Sequence, residues 1–180
     1  MASGIPVRGS EGRLISSTVF LFMSVPDTSI IDVPLATGSG DLVSGSKNTH
    51  IATLVDRKSR YTIILKLKGK DAASVTHALT EKFNELPNEL RRTLTWDRGM
   101  ELAKHTEFTA STDMPVYFCD PQSPLQRGTN ENTNSLIRQY LPKKTCLAQH
   151  SQEVLNQIAD ELNDRPRKTL KFKTPKHQNR

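Results

Sequence analysis

From residue 41 onward the chain alternates short apolar runs with turn residues, and only later takes up helical spacing. Asp41-Leu-Val predicts a short strand, and Gly45-Ser-Lys-Asn48 has the chemistry of a turn. Thr49 to Val55 and Arg60 to Leu67 are rich in Ile, Val, Thr and Tyr, with Asp56-Arg-Lys-Ser59 between them. Together these predict three antiparallel strands in meander order. Gly69-Lys-Asp71 stops the sheet, and Asp71 suits a helix N-cap. Ala72, Val75, Leu79, Phe83 and Leu86 then recur at helical spacing as far as Pro87. Thr93 to Trp96 predicts a fourth strand, Gly99 to Phe108 a short helix, and Val116 to Cys119 a fifth strand. Ser151 caps a last helix with Val154, Leu155, Ile158, Ala159 and Leu162 inward, ending at Arg165-Pro166. An α/β class follows: a mixed sheet of about five strands flanked by helices.

The segment from Tyr117 to Tyr140 opens as a strand, breaks at Pro121 and Pro124, turns at Gly128 and restarts as a helix. Wound at about 100° per residue, Thr133, Leu136, Ile137 and Tyr140 share one side. Glu131, Asn134, Ser135 and Arg138 share the other. The first stripe suits a core and the second suits solvent, either as an ordinary charged face or as part of a site.

Charge changes the picture. The chain of 180 residues has a net charge of +6. Residues 121–180 hold 11 Lys/Arg against 5 Asp/Glu, while residues 1–120 hold 14 of each, so the excess lies in the last third. An acidic partner, nucleic acid first, is the expectation. Residues 1–36 lack clean periodicity and read as an unassigned appendage, residues 37–175 as one core, and residues 176–180 as a basic tail. Cys119 and Cys146 show no metal-ligand spacing, which favours a reduced, cytoplasmic protein. Leu14 to Val25, about a dozen residues broken by serines, is too short to span a bilayer. No convincing cleavage site follows it.

Three carboxylates stand at informative places: Asp41 in the first strand, Asp97 at the end of the fourth, and Glu131 on a helix after the fifth. In a mixed sheet the first and fourth strands can be neighbours. Oxygen-only donors make a hard site, suited to Mg²⁺ or Mn²⁺. Two such ions about 3.5–4 Å apart serve phosphodiester chemistry. Three clustered carboxylates left unpaired would cost several kcal/mol, so metal or cationic partners are expected.

Asp41, Asp97 and Glu131, with 33 residues between the last two, resemble the DDE triad of integrase-core transposases. The resemblance is to the insertion-sequence-thirty family in Gly40-Asp41-Leu-Val-Ser-Gly45, His50-Ile-Ala-Thr-Leu-Val-Asp-Arg-Lys-Ser-Arg60, Thr95-Trp-Asp-Arg-Gly99, Arg127-Gly-Thr-Asn-Glu-Asn-Thr-Asn134 and Leu162-Asn-Asp-Arg-Pro-Arg-Lys-Thr-Leu170. It covers roughly residues 40 to 175. It implies a ribonuclease H-like fold, a DDE-type polynucleotidyl transferase using two Mg²⁺ ions (Mn²⁺ as substitute), and DNA as substrate at transposon ends and target. It also implies an association with the nucleoid and action as a homodimer. Arg138 stands where such enzymes carry a basic residue that contacts DNA. Arg127, Lys143, Lys144, Arg165, Arg167 and Lys168 are the other candidate DNA contacts. His105 and Asn134 are candidates for support around the metals, and the Glu101–His105 spacing would allow shared ligation or an ordinary surface histidine. Asp56 suits its turn, Asp120 a loop, and Trp96 the core.

Two features depart from the family. Gly38-Ser39-Gly40 replaces the usual Trp-Glu before the first aspartate, a flexible run expected to weaken the first strand. Residues 1–39 do not resemble a helix-turn-helix targeting region, so a truncated copy is expected. The alternative is an inactive remnant that binds DNA non-specifically.

Overall fold

The computed structural model describes residues 37–85, 92–96, 100–120 and 124–178. The appendage over residues 1–36 lies outside them, as do Leu86, Pro87, Asp97 and Gly99. The strands are β1 (Thr37–Ser44), β2 (His50–Asp56), β3 (Thr62–Lys66), β4 (Thr93–Trp96) and β5 (Val116–Phe118). The helices are α1 (Ala72–Glu85), α2 (His105–Thr112), α3 (Pro124–Tyr140), α4 (Gln152–Asp164) and α5 (Pro175–Gln178). The five strands lie in the order β3-β2-β1-β4-β5. The β1–β2 and β2–β3 pairs are antiparallel, as the meander predicts, and β1–β4 and β4–β5 are parallel. The first and fourth strands are therefore neighbours at the centre of the sheet.

Each face of the sheet carries its own apolar core, because side chains alternate along a strand. Ala52, Leu54, Leu65, Leu94 and Trp96 pack against Val75, Leu79 and Phe83 of α1 and Phe108 of α2. Val43, Ile51 and Ile64 pack against Ile137 and Leu141 and against Leu155, Ile158 and Leu162 of α4. The hydroxyl-rich turn after β2 behaves as read: Asp56 Oδ2 accepts from the Ser59 N–H and hydroxyl, both at 2.6 Å. Asp71 caps α1 by accepting the Ser74 N–H at 2.9 Å.

The outer edge of β3 is protected by two side-chain amides of α4. Asn163, buried, accepts the Thr62 N–H at 2.8 Å and donates to the Thr62 carbonyl at 2.9 Å. Gln152 accepts the Lys66 N–H at 2.8 Å and donates to the Ile64 carbonyl at 2.7 Å. The helix thus supplies the hydrogen bonds that a further strand would make, which removes a template for edge-to-edge association.

Four local expectations are corrected. β1 is eight residues long and includes Gly38-Ser39-Gly40. The run does not weaken the strand, because Gly40 is a seat for the Trp96 indole: a Cβ there would lie 2.3 Å from two ring carbons. The helix predicted over Gly99 to Phe108 is a one-turn 3₁₀ segment at Met100–Leu102 followed by α2. α3 runs through Gly128 without a turn. Pro124 is its first residue, where a missing N–H costs nothing, and no described glycine has a positive φ. Val154 is 37% exposed rather than inward, since the docking of α4 on β3 is set by Leu155, Ile158 and Leu162. No helix among the described residues is long and apolar enough to cross a membrane.

Candidate active site

Asp41 stands one residue beyond the Gly40–Trp96 pair that ends the parallel β1–β4 register. Like Val43 two residues on, it faces α3. The helix meets β1 through side-chain amides spaced one turn apart. Asn130 Nδ2 donates to the Gly40 carbonyl at 3.2 Å, and Asn134 Nδ2 donates to Asp41 Oδ2 at 2.8 Å. The carboxylate only accepts, so it takes the amide NH₂, and Thr53, the cross-strand partner of Asp41 on β2, meets the amide oxygen. The Thr53 hydroxyl donates to Asn134 Oδ1 at 3.0 Å. The Leu42 N–H donates to Asp41 Oδ1 at 2.8 Å. The Asp41 carboxylate is thus held by its own strand on one oxygen and by α3 on the other.

Glu131 lies three residues before Asn134, which makes the two surface neighbours on α3. Its side chain is exposed, and among the described residues it has no hydrogen-bond or ion-pair partner. The helix beneath it is anchored unevenly. Ile137 and Leu141 bury the C-terminal half, whereas Asn130 Oδ1 and the hydroxyls of Ser39 and Thr95 are buried without partners. Asp97 lies outside the described residues, and among those described no group of three His, Cys, Asp or Glu converges as a metal cluster.

Asp41 also borders an open cleft of about 230 Å³, shared with Ser44, His50, Lys70, Trp96 and Glu101. Burial, then the positive charge of Lys70, lowers the His50 pKa below its usual 6.5, against an opposing pull from Glu101. Both ring nitrogens are engaged, Nδ1 with Ser44 Oγ and Nε2 with Asn48 Oδ1, each at 3.0 Å. A neutral imidazole with one donor and one acceptor satisfies both, so His50 is a polar wall rather than a free ligand. Lys70 and Glu101 were not singled out as part of one site with Asp41. They come from separate connections, and only the path of the chain brings them to it. His105 does not join Glu101 on one helix; its ring meets Phe118 edge-on, with centroids 5.2 Å apart.

The expected DNA contacts divide between two flanks of α3. Arg138 shares the flank of Glu131 and Asn134, and its guanidinium donates to the Ser44 carbonyl at 2.8 Å and the Leu141 carbonyl at 3.5 Å. It ties the end of β1 to the end of α3. Replacing Arg138 by Ala should therefore destabilise the fold by about 1.5–3 kcal/mol, the range for hydrogen bonds from a charged donor. Urea unfolding would measure this, and an unchanged midpoint would show that the tie is not formed. Lys143 and Lys144 are exposed beside the β1–β2 turn, where the Ser46 N–H donates to the Thr145 carbonyl at 2.9 Å. Arg165 reaches Gln139 and Tyr140, each at 3.3 Å, on the flank away from Glu131. Arg167 and exposed Lys168 follow Arg165 in the chain. Arg127 has no described side chain.

Comparison with known proteins follows the same outline. Residues 33–124 match the Integrase core domain family. A transposase from Escherichia coli strain K12, InsI of insertion sequence element IS30C, is 76% identical over 137 residues, which are 76% of this chain and 36% of the relative. The transposase of insertion sequence element IS1086 from Cupriavidus metallidurans is 52% identical over 137 residues, 76% of this chain and 40% of the relative. The chain thus spans well under half the length of either. Among solved structures, the catalytic core domain of BIV integrase superposes with a TM-score of 0.59 at 17% identity, over 79% of this chain and 91% of that one. That likeness carries the fold alone: ribonuclease H-like, as the family resemblance implied. The chain belongs to the integrase core domain family, and over 137 residues it is similar to transposases of insertion sequence elements.

Proposed function

We propose that this core cleaves DNA at insertion-sequence ends and joins the ends to target DNA, in a reaction that depends on Mg²⁺ or Mn²⁺. The observation that carries the reading is the fixed Asp41 carboxylate, bonded to Asn134 one turn from an exposed Glu131 that has no partner among the described residues. Asp41 and Glu131, with Asp97, form an oxygen-only donor set that fits a hard divalent ion. The two nitrogens of the nearest histidine are already engaged, so no softer ligand competes. When bound, the metals supply an activated water or 3′-hydroxyl and neutralise the departing oxygen.

The protein's own contribution is position. Asp41 is immobilised by hydrogen bonds on both oxygens, and Asn134 transmits the placement of α3 to it. Glu131 has the freedom of an exposed side chain to complete the donor set. Arg138, on the same flank, orients the DNA backbone with the donors left over from its carbonyl contacts. Lys143 and Lys144 extend that positive track.

Nicking of a supercoiled plasmid, with and without Mg²⁺ or Mn²⁺, tests the reading when Glu131→Gln is assayed beside the parent. Metal-dependent nicking that disappears in the variant is the expected result. Equal nicking by both proteins would sink the assignment of Glu131. DNA binding with no metal-dependent nicking in the parent would leave a DNA-binding remnant as the better description.

A further inference from the structure

A second basic site lies on the opposite side of α3. Arg60 follows the β2–β3 turn in a left-handed backbone conformation, with φ of 62°. That conformation is costly for a residue with a Cβ. It directs the guanidinium to α3, where Nη1 donates to the Thr129 hydroxyl. Arg167 arrives from the far end of the sequence, held in a tight turn by backbone bonds to Lys173 at 3.0 Å and Phe172 at 2.9 Å. Its Nη2 donates to the Leu162 carbonyl at 3.1 Å, while its Nε is buried without a partner. The two arginines, with Thr129, Asn132 and Thr169, line a recess of about 200 Å³.

Positive charge converges on the recess, where Arg60 and Arg167 both line the wall. Among the described residues no ion pair engages Arg57, Arg60 or Arg167. Burial lowers the pKa of both Arg57 and Arg167: for Arg57 the pull of Cys119 opposes it and Arg60 adds to it, and for Arg167 the charges of Arg165 and then Arg60 add to it against Tyr140. Of the Asp56 carboxylate in the preceding turn, Oδ2 is committed to Ser59, and Oδ1 is buried with no hydrogen-bond partner among the described residues. Arg60 and Arg167 are both partly buried, and an anion would relieve their repulsion and the orphaned Nε donor. Two guanidinium forks with interspersed hydroxyls and an amide match a tetrahedral oxyanion better than a planar carboxylate, which one fork would satisfy.

We propose that Arg60 and Arg167, with Thr129 and Thr169, form a pocket for a phosphate group. It is separate from the cleavage site, because Thr129 and Glu131 stand about 160° apart around the α3 axis. In the reading above the phosphate belongs to a DNA strand that crosses α3 away from the scissile bond. The inference rests on that reading only for the source of the phosphate.

Two arms test it on the full chain, using the parent, Arg60→Gln and Thr169→Glu. Thr169 is exposed, so its variant keeps the fold while placing a carboxylate at the recess. In the first arm, anisotropy of a labelled duplex is followed across a salt series. Each variant should lower affinity roughly 5-fold and reduce the slope of log affinity against log salt by about 1. In the second arm, inorganic phosphate is titrated in a thermal-shift assay, and the parent should be stabilised more than either variant. A phosphate response with unchanged DNA slopes would assign the pocket to free phosphate. Loss of all DNA binding in the parent would defeat the DNA reading, with the second arm still deciding the pocket. Variants that match the parent in both arms overturn the proposal.

Discussion

Replacing Asp41 by Asn is expected to cut metal-dependent nicking by about 10²–10³-fold while leaving the fold intact. A metal held at the reacting oxygens contributes several kcal/mol to transition-state stabilisation, and each 1.36 kcal/mol is tenfold in rate. The substitution keeps the size and planarity of the side chain, so its oxygen can still accept from Asn134 or from the Leu42 N–H. What it removes is the charge and one metal-binding oxygen. Ligand linkage gives a readout that does not depend on DNA. At a metal concentration 100 times the dissociation constant, the parent gains about 2.7 kcal/mol. For a chain of this size that is a rise of roughly 5–10 °C in melting temperature. The variant should show little of that rise, and without metal it should melt at or above the parental temperature, since one of several neighbouring carboxylates has been neutralised. A metal-induced shift that survives in Asp41→Asn would mean that the ion binds elsewhere.

The parts of this site legible in the sequence are those encoded by local pattern. Alternating runs and turn residues predicted the meander. Helical spacing placed Glu131, Asn134 and Arg138 on one flank of α3 and Thr133 and Ile137 on the other. A mixed sheet allows β1 and β4 to be neighbours, and the structure pairs them. Contacts between distant segments were not legible. The Asn134 amide meets Asp41 and Thr53 on two different strands, and the wall of the cleft is set by Lys70 and Glu101 from unrelated connections. The pairing of Arg60 with Arg167 depends on how the end of the chain returns across α3. Propensity was misleading at the glycines. Gly128 suggested a turn, yet it lies on an exposed part of α3, where the helix tolerates it at a cost of about 1 kcal/mol.

Gly40 is the sharper case, and Gly40→Ala should be among the most damaging single-methyl changes in the fold. By backbone entropy alone the substitution would stabilise a strand, by about 0.5–1 kcal/mol. Packing opposes this and should win. The added Cβ would sit 2.3 Å from Cε3 and Cζ3 of Trp96 and 3.3 Å from Leu54 Cδ2, and the indole is 2% exposed in a filled core. The strand cannot retreat, since β1 is hydrogen-bonded to β2 on one side and β4 on the other. Overpacking of this kind costs about 1–3 kcal/mol and occasionally more, so a net loss of about 1–2 kcal/mol is expected. That is a fall of roughly 2–8 °C in melting temperature. A double-mutant cycle isolates the cause. Trp96→Leu alone should destabilise by about 3 kcal/mol through the cavity it leaves. Combined with Gly40→Ala it should cost at least about 1 kcal/mol less than the two separate losses together, because the new methyl group enters space the indole has vacated. Strict additivity, or a Gly40→Ala protein within about 0.5 kcal/mol of the parent, would show that the indole does not rest on this glycine. In that case Gly40 would owe its place to something other than the seat that lets β1 and β4 close together beneath Asp41.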